Sequence, residues 1–351
     1  MTVWFPSNST HEKHHLSITI NRWRRERSWW LTDTHIHVLP PAYLAALEAA
    51  GGDPSGYPTP SNWSVDGAIA SLALTKSARG ILSLSTPGIP IAGTGEEARK
   101  LCREVNLYMA SIVKQHPANL GCFGALPDWR DVDGTLAEID FIFSTQKAAF
   151  GVGFYTSYGD LLPGNSMFQP IWEKLESYKA LTFMHPGVMD VQPLLIGDFL
   201  PQPIIDYPQA TTRAAVDLVF SGVRSATPNV DVILSHAGGT LPFLAQRAWG
   251  SLLVSGIANE ASVNSVEALA EFRRFYYDIA LSTSKAQLDG LIASTDLSHI
   301  LMGSDYPYAP AEAIAAGFAE FVAYTATQTK ISAATLTKNA IELMQKHSPL
   351  M

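Results

Sequence analysis

Cysteine is nearly absent from this chain: only Cys102 and Cys122 stand among its 351 residues. Two thiols build neither a disulfide framework nor a CxxC zinc site, and they read as buried free thiols in a reducing compartment. Charge is also sparse, at 16% of residues, with a formal net charge of −8. A nucleic-acid interface needs a basic stripe. The only basic cluster is Arg22, Arg24, Arg25 and Arg27, which reads as a solvated N-terminal arm. No apolar run reaches the ~18 residues of a membrane span, and no apolar signal segment is visible in residues 1–30. These absences predict a cytoplasmic protein with neither a membrane nor a nucleic-acid partner.

What the chain does have is apolar mass, 47% of residues, enough to bury a sizeable core and too much for a disordered protein. Eight short apolar or β-branched runs recur, at 30–34, 80–85, 120–125, 151–155, 181–184, 230–235, 275–279 and 300–303. Helical patterns lie between them at 96–115, 132–144, 167–177, 211–225, 241–255, 285–294 and 311–324, and a last one at 332–346 packs outside. Strands alternating with helices predict parallel βα units, and eight of them predict an α/β fold closed as a (β/α)8 TIM-type barrel. Residues 1–30 read as an N-terminal extension and 31–351 as one barrel domain. The longest irregular stretch, 186–209, reads as a lid or substrate wall.

In such a barrel the site lies at the C-terminal ends of the strands. Four of the eight runs end on histidine or aspartate: His35 and His37 in Asp-Thr-His-Ile-His, His185 in Phe-Met-His-Pro-Gly, His236 in Leu-Ser-His-Ala-Gly-Gly, and Asp305 in Met-Gly-Ser-Asp-Tyr-Pro. Residues i and i+2 of a strand face the same side, so both rings of the His-x-His pair converge. His35, His37, His185 and Asp305 suffice to hold one divalent metal with open positions for water or substrate. Nitrogen-rich ligation favours zinc, while the carboxylate also admits manganese or magnesium. His236 is then left as an acid/base, because imidazole titrates near working pH. Asp305 is a second candidate proton carrier.

These residues resemble the amidohydrolase superfamily, and more closely its decarboxylase branch, which includes the aminocarboxymuconate-semialdehyde and γ-resorcylate decarboxylases. The likeness covers residue 31 to about 345 and rests on 32–41, 183–187, 235–243 and 302–308; the His-x-Gly-Gly-x-x-Pro-Phe run after the sixth strand is specific to that branch. Many relatives bridge two metals with a lysine on strand four. Here that strand reads Gly-Val-Gly-Phe-Tyr-Thr, which implies one metal. The resemblance implies non-oxidative loss of CO2 from a small carboxylic acid, with Asp305 or His236 delivering the proton. It also implies a homodimer or larger assembly in which Arg247 enters a neighbour's site.

One departure concerns the substrate. Where aminocarboxymuconate enzymes follow a tryptophan with Arg-x-Arg, this chain has Trp63 and then Ala68 and Ala70. A second carboxylate has no partner there, so a monocarboxylate with an apolar remainder is expected. The opening Asp-Thr-His-Ile-His-Val-Leu-Pro-Pro-Ala-Tyr is similar to the fungal 6-methylsalicylate decarboxylases, whose product is m-cresol on a polyketide route. Trp63, Phe154, Tyr155 and Phe183 are candidates to wall an aryl ring, each also explicable as core packing. A lactone or amide hydrolase on the same fold is the alternative, since fold does not fix function.

Overall fold

A computed structural model of the chain describes residues 31–188 and 195–347. The extension 1–30, with its arginine cluster, and positions 189–194 of the expected lid lie outside the described residues. Eight strands form one parallel sheet in sequential order: β1 (Leu31–Val38), β2 (Ser77–Leu84), β3 (Leu120–Gly124), β4 (Gly151–Tyr155), β5 (Leu181–His185), β6 (Asp231–Leu234), β7 (Tyr276–Asp278) and β8 (Ile300–Leu301). The last strand returns to the first. Thr34 N–H donates to the Met302 carbonyl at 2.9 Å and His37 N–H to the Tyr306 carbonyl at 2.7 Å. The fold is therefore the expected (β/α)8 barrel.

The barrel interior is packed rather than open. Phe123 and Phe183 stack at 5.4 Å and join Ile81, Ile233 and Leu301 in one buried cluster. The C-terminal helix Ala333–His347 closes that cluster with Leu343 and Met344. Its end is pinned to the foot of β6, where Lys346 and His347 lie 2.6 and 2.7 Å from Asp231. On the outside, the helix Glu96–Gln115 buries Ala98, Cys102, Val105, Met109 and Ile112, the three- and four-residue spacing of a single helix face. Cys102 and Cys122 are both buried and free. Burial pushes the Cys122 thiol up to about 12 and that of Cys102 up as well, so neither serves as a thiolate nucleophile.

Several sequence boundaries move. Helices not anticipated from the pattern occupy Pro41–Ala49, Val65–Ser71 and Ser265–Arg273. The helix expected from 211 starts at Asp206 and ends at Phe220, so the irregular stretch stops at Ile205 rather than at 209. The helix expected over 132–144 is α-helical only to Asp140 and continues as a π turn to Gln146. The run placed at 30–34 is the largest correction. β1 extends to Val38, so His35 and His37 are inside the strand rather than after it. Pairing explains this: β1 is hydrogen-bonded to β2 through His37 opposite Ser83 and Val38 opposite Leu84, while its other edge bonds the chain after β8.

Candidate metal centre

His35 and His37 face into the mouth of the barrel and are fully buried. His185 is the last residue of β5. His236 and Asp305 follow β6 and β8 on left-handed backbone, with φ of 54° and 65°. Non-glycine residues seldom adopt this region, and it concentrates at functional sites. The turn after His236 explains the paired glycines: Gly239 has φ 64°, and a Cβ there would lie 1.9 Å from the Pro208 carbonyl. Only glycine lets the chain double back at that point and aim His236 at the mouth.

Every one of the four imidazoles turns Nδ1 toward an oxygen acceptor. His35 Nδ1 lies 3.0 Å from Asp278 Oδ2. His37 Nδ1 lies 3.3 Å from the Ser83 carbonyl, His185 Nδ1 3.0 Å from the Pro186 carbonyl, and His236 Nδ1 3.1 Å from the Ala280 carbonyl. A carbonyl or carboxylate only accepts, so the hydrogen sits on Nδ1 and Nε2 carries the lone pair. Those lone pairs converge. His35 Nε2 and His37 Nε2 are 3.1 Å apart, and Asp305 Oδ1 lies 3.3 Å from the first and 3.0 Å from the second. Ligand atoms of His35, His185, His236 and Asp305 all lie within 4.8 Å of one another.

Donors that close with no hydrogen between them need a cation. Two ligands each about 2.1 Å from one ion stand about 3.0 Å apart at an octahedral edge and about 3.4 Å apart at a tetrahedral edge. The observed 3.0, 3.1 and 3.3 Å fall in this interval. Charge agrees. Burial lowers His37 and lowers His185 well below the ordinary imidazole range, keeping both neutral. Burial alone would also lower His35, but Asp278 and then Asp305 outweigh it and raise this ring to about 10. Burial would raise Asp305, but its close pairing with His35 and His37 outweighs burial and holds it well below the usual carboxylate range. The cluster thus attracts one positive charge to its centre. A His/Asp cluster of this kind in this fold suggests a divalent metal.

Two buried carboxylates in this network were not singled out from the sequence. Asp278 ends β7 and reaches three partners: besides His35 it accepts from Ala280 N–H at 2.9 Å and from His236 N–H at 3.2 Å. It fixes the tautomer of one histidine and the backbone of another. Its signal was a lone acid inside the aromatic run Phe-Tyr-Tyr-Asp-Ile. Asp33 accepts from His35 N–H at 3.1 Å and Ser304 N–H at 3.0 Å, tying β1 to the turn that carries Asp305. Burial raises its carboxyl to about 7.

Above the cluster lies a cavity of about 530 Å³, floored by His185, His236 and Asp305 and walled by Tyr57, Tyr207, Phe243 and Tyr308 among others. Trp63, Tyr155 and Phe183, expected from the sequence to touch a ring, do not line it. Trp63 donates its indole N–H to the His37 carbonyl at 2.9 Å. Phe183 is buried edge-on to His35, with ring centres 5.0 Å apart. Tyr155 directs its hydroxyl to the carbonyls of Leu84 and Ser85 and lines a separate cavity of about 370 Å³. Phe154 is buried against Trp129. Arg247 is exposed on the helix Leu241–Ser251, outside the cavity of its own chain. No helix among the described residues is long and apolar enough to cross a membrane.

Comparison with known proteins agrees with this geometry. The model of an amidohydrolase family matches residues 32–344. Decarboxylase macB of Penicillium terrestre is 38% identical over 293 residues, which cover 80% of this chain and 85% of that protein. The 6-methylsalicylic acid decarboxylase acuB of Aspergillus aculeatus is 38% identical over 321 residues, covering 90% of this chain and 96% of its own. Among solved structures, Metarhizium anisopliae IDCase superposes with a TM-score of 0.72 at 23% identity, covering 90% of this chain and 97% of that one. The manganese-bound 5-carboxyvanillate decarboxylase of Novosphingobium aromaticivorans gives 0.76 at 16%, covering 91% and 97%. At such identities these two speak for the fold alone.

Proposed function

The chain belongs to the amidohydrolase family, in its decarboxylase branch, and from that premise we propose that this carboxy-lyase converts 6-methylsalicylate to m-cresol and CO2. What supports this site is the approach of His35 Nε2, His37 Nε2 and Asp305 Oδ1 to 3.0–3.3 Å of one another, with ligand atoms of His185 and His236 within 4.8 Å of those of His35 and Asp305. Three nitrogens and a carboxylate favour zinc. Manganese, which the 5-carboxyvanillate enzyme binds, and magnesium are the other ions such a set admits. When bound, the ion supplies Lewis-acid stabilisation to the carboxylate and the neighbouring oxygen of the acid.

The chain's own groups do the rest. Tyr57, Tyr207, Phe243 and Tyr308 hold the ring, and their position at the cavity wall supports this role better than that of Trp63 and Phe183, which lie against His37 and His35 from behind, or of Tyr155, which lines the separate cavity. His236 stands at the cavity floor with its Nδ1 hydrogen committed to Ala280, so its Nε2 is the atom that takes up and delivers a proton. Asp305 is the alternative donor. The proton adds to the ring carbon that bears the carboxylate. The carbon–carbon bond then breaks, its electron pair restores the aromatic ring, and CO2 leaves.

Arg247 serves the site of a second copy in a dimer. The exposed Phe243, Leu244, Leu253 and Val254 beside it are an apolar surface of the kind an interface covers. The test of the reaction is a panel of salicylates, lactones and amides offered to the purified enzyme. CO2 release from 6-methylsalicylate supports the proposal. Acid release from a lactone or amide without CO2 overturns it in favour of a hydrolase.

A further inference from the structure

Besides Asp305, the wall of the large cavity carries one charged side chain, Asp53, in the loop after the helix Pro41–Ala49. One oxygen, Oδ1, accepts from Ser55 N–H at 2.8 Å. No ion pair engages its carboxylate among the described residues. Ser55 is itself buried, and its carbonyl accepts from Gln202 N–H at 3.2 Å, which locks this loop to the segment after β5. Tyr57 extends the link to the centre: its hydroxyl donates to the Tyr308 carbonyl at 2.8 Å, and the Tyr308 ring stands 5.4 Å from that of His37. In the same wall the buried hydroxyls of Tyr207 and Tyr308 face Ser55 and Ser85 respectively.

The lining of the cavity therefore holds two carboxylates, Asp53 and Asp305, and no lysine or arginine among the described residues. Asp305 is balanced by the histidines and the metal proposed for them, whereas Asp53 has no cation partner among the described residues. We propose that Asp53 is a specificity-determining residue that rejects aromatic acids bearing a second carboxylate and so restricts the enzyme to monocarboxylates. This inference rests on the proposed decarboxylation of an aromatic acid and names the substrate class within it.

The size of the cavity sets the scale of the effect. A volume of 530 Å³ corresponds to a sphere about 10 Å across, the order of separation between Asp53 in the wall and a second carboxylate bound inside. At an effective dielectric of about 20, like charges repel by the equivalent of roughly tenfold in affinity at about 10 Å, and by on the order of 10²-fold at about 6 Å. The loop geometry is retained in Asp53→Asn, because the amide oxygen still accepts from Ser55 N–H.

The experiment compares kcat/KM for salicylate and 5-carboxysalicylate on the metal-loaded wild type and on Asp53→Asn. The diacid-to-monoacid ratio is expected to rise at least about tenfold in the variant. An unchanged ratio overturns the proposal. A second measurement needs no variant: inhibition of the wild type by phthalate-type diacids against benzoate-type monoacids of matching shape. Diacids are expected to be weaker by roughly tenfold or more, and equal inhibition overturns the proposal. Absence of turnover on every aromatic acid, with the inhibition difference intact, refutes the decarboxylase reading and leaves the role of Asp53 standing.

Discussion

Replacing Asp278 by asparagine changes one atom in a position where both faces of the group are used. In the native structure Oδ1 takes the N–H groups of Ala280 and His236, at 2.9 and 3.2 Å, and Oδ2 takes His35 Nδ1 at 3.0 Å. An asparagine that keeps its oxygen on the two backbone donors turns its NH2 toward His35 Nδ1. That nitrogen must then become the acceptor, and the ring hydrogen moves to Nε2. There it points at His37 Nε2, 3.1 Å away, and at Asp305, 3.3 Å away, where a metal needs a lone pair. The opposite amide orientation restores His35 but sets the NH2 against two backbone N–H groups, which leaves buried donors unpaired. Either way the site loses. Substitutions of this supporting kind lower metal affinity by roughly 10- to 100-fold, about 1.4–2.7 kcal/mol. The assay is competition for the metal with a chromophoric chelator, with circular dichroism as the control for folding. A folded Asp278→Asn protein that binds metal as tightly as wild type would refute the tautomer argument.

Other consequences follow from particular contacts. Burial would raise the Asp231 carboxyl, but His347 and Lys346 outweigh burial and hold it below its ordinary value. A depressed carboxylate contributes stability that is fully present above its unfolded pKa of about 3.9 and is lost as pH falls through the folded value. Asp231→Asn should therefore cost about 1–2 kcal/mol at pH 7, with half-exposed Lys346 limiting the figure. Urea unfolding should show that difference shrinking toward pH 3; a difference that grows on acidification would contradict the assignment. Gly239→Ala places a methyl 1.9 Å from the Pro208 carbonyl on left-handed backbone, so thermal unfolding should report a loss of about 2 kcal/mol or more, beyond the conformational penalty alone. Mixed and reassembled Arg247→Ala and His236→Ala subunits should recover activity in heterodimers if the arginine serves the neighbouring site. Demonstrated heterodimers without recovery would argue against it.

The strand-end histidines and aspartate were legible in the sequence because a buried parallel strand is otherwise apolar, so a histidine or aspartate at its end stands out. That held for His185, His236 and Asp305. The same logic misjudged β1. Its inward positions Asp33, His35 and His37 are polar by function, and alternation of polar residues mimicked a strand end. Asp278 was hidden in an aromatic run, where one acid looked incidental until its three partners became visible. The cavity wall was least legible. Tyr57 and Tyr308 come from two distant loops and Tyr207 from the first turn of the helix Asp206–Phe220, and nothing local distinguishes them from core aromatics. Trp63 was marked by its place in the motif, yet its indole supports the His37 carbonyl. The alanines at 68 and 70 signalled the missing cationic grip, whereas Asp53 emerged only when the lining of the cavity could be seen whole.

The central claim is that one metal, held by His35, His37, His185 and Asp305, enables loss of CO2 from an aromatic acid. The most direct measurement strips the purified protein with a chelator, reloads it with zinc or manganese in increments, and follows CO2 and m-cresol from 6-methylsalicylate. The account predicts no turnover in the stripped protein and activity rising linearly to a plateau at one ion per chain, with Asp305→Ala failing to bind the ion or recover. Full turnover without metal, or an Asp305→Ala protein that retains both ion and activity, would contradict it.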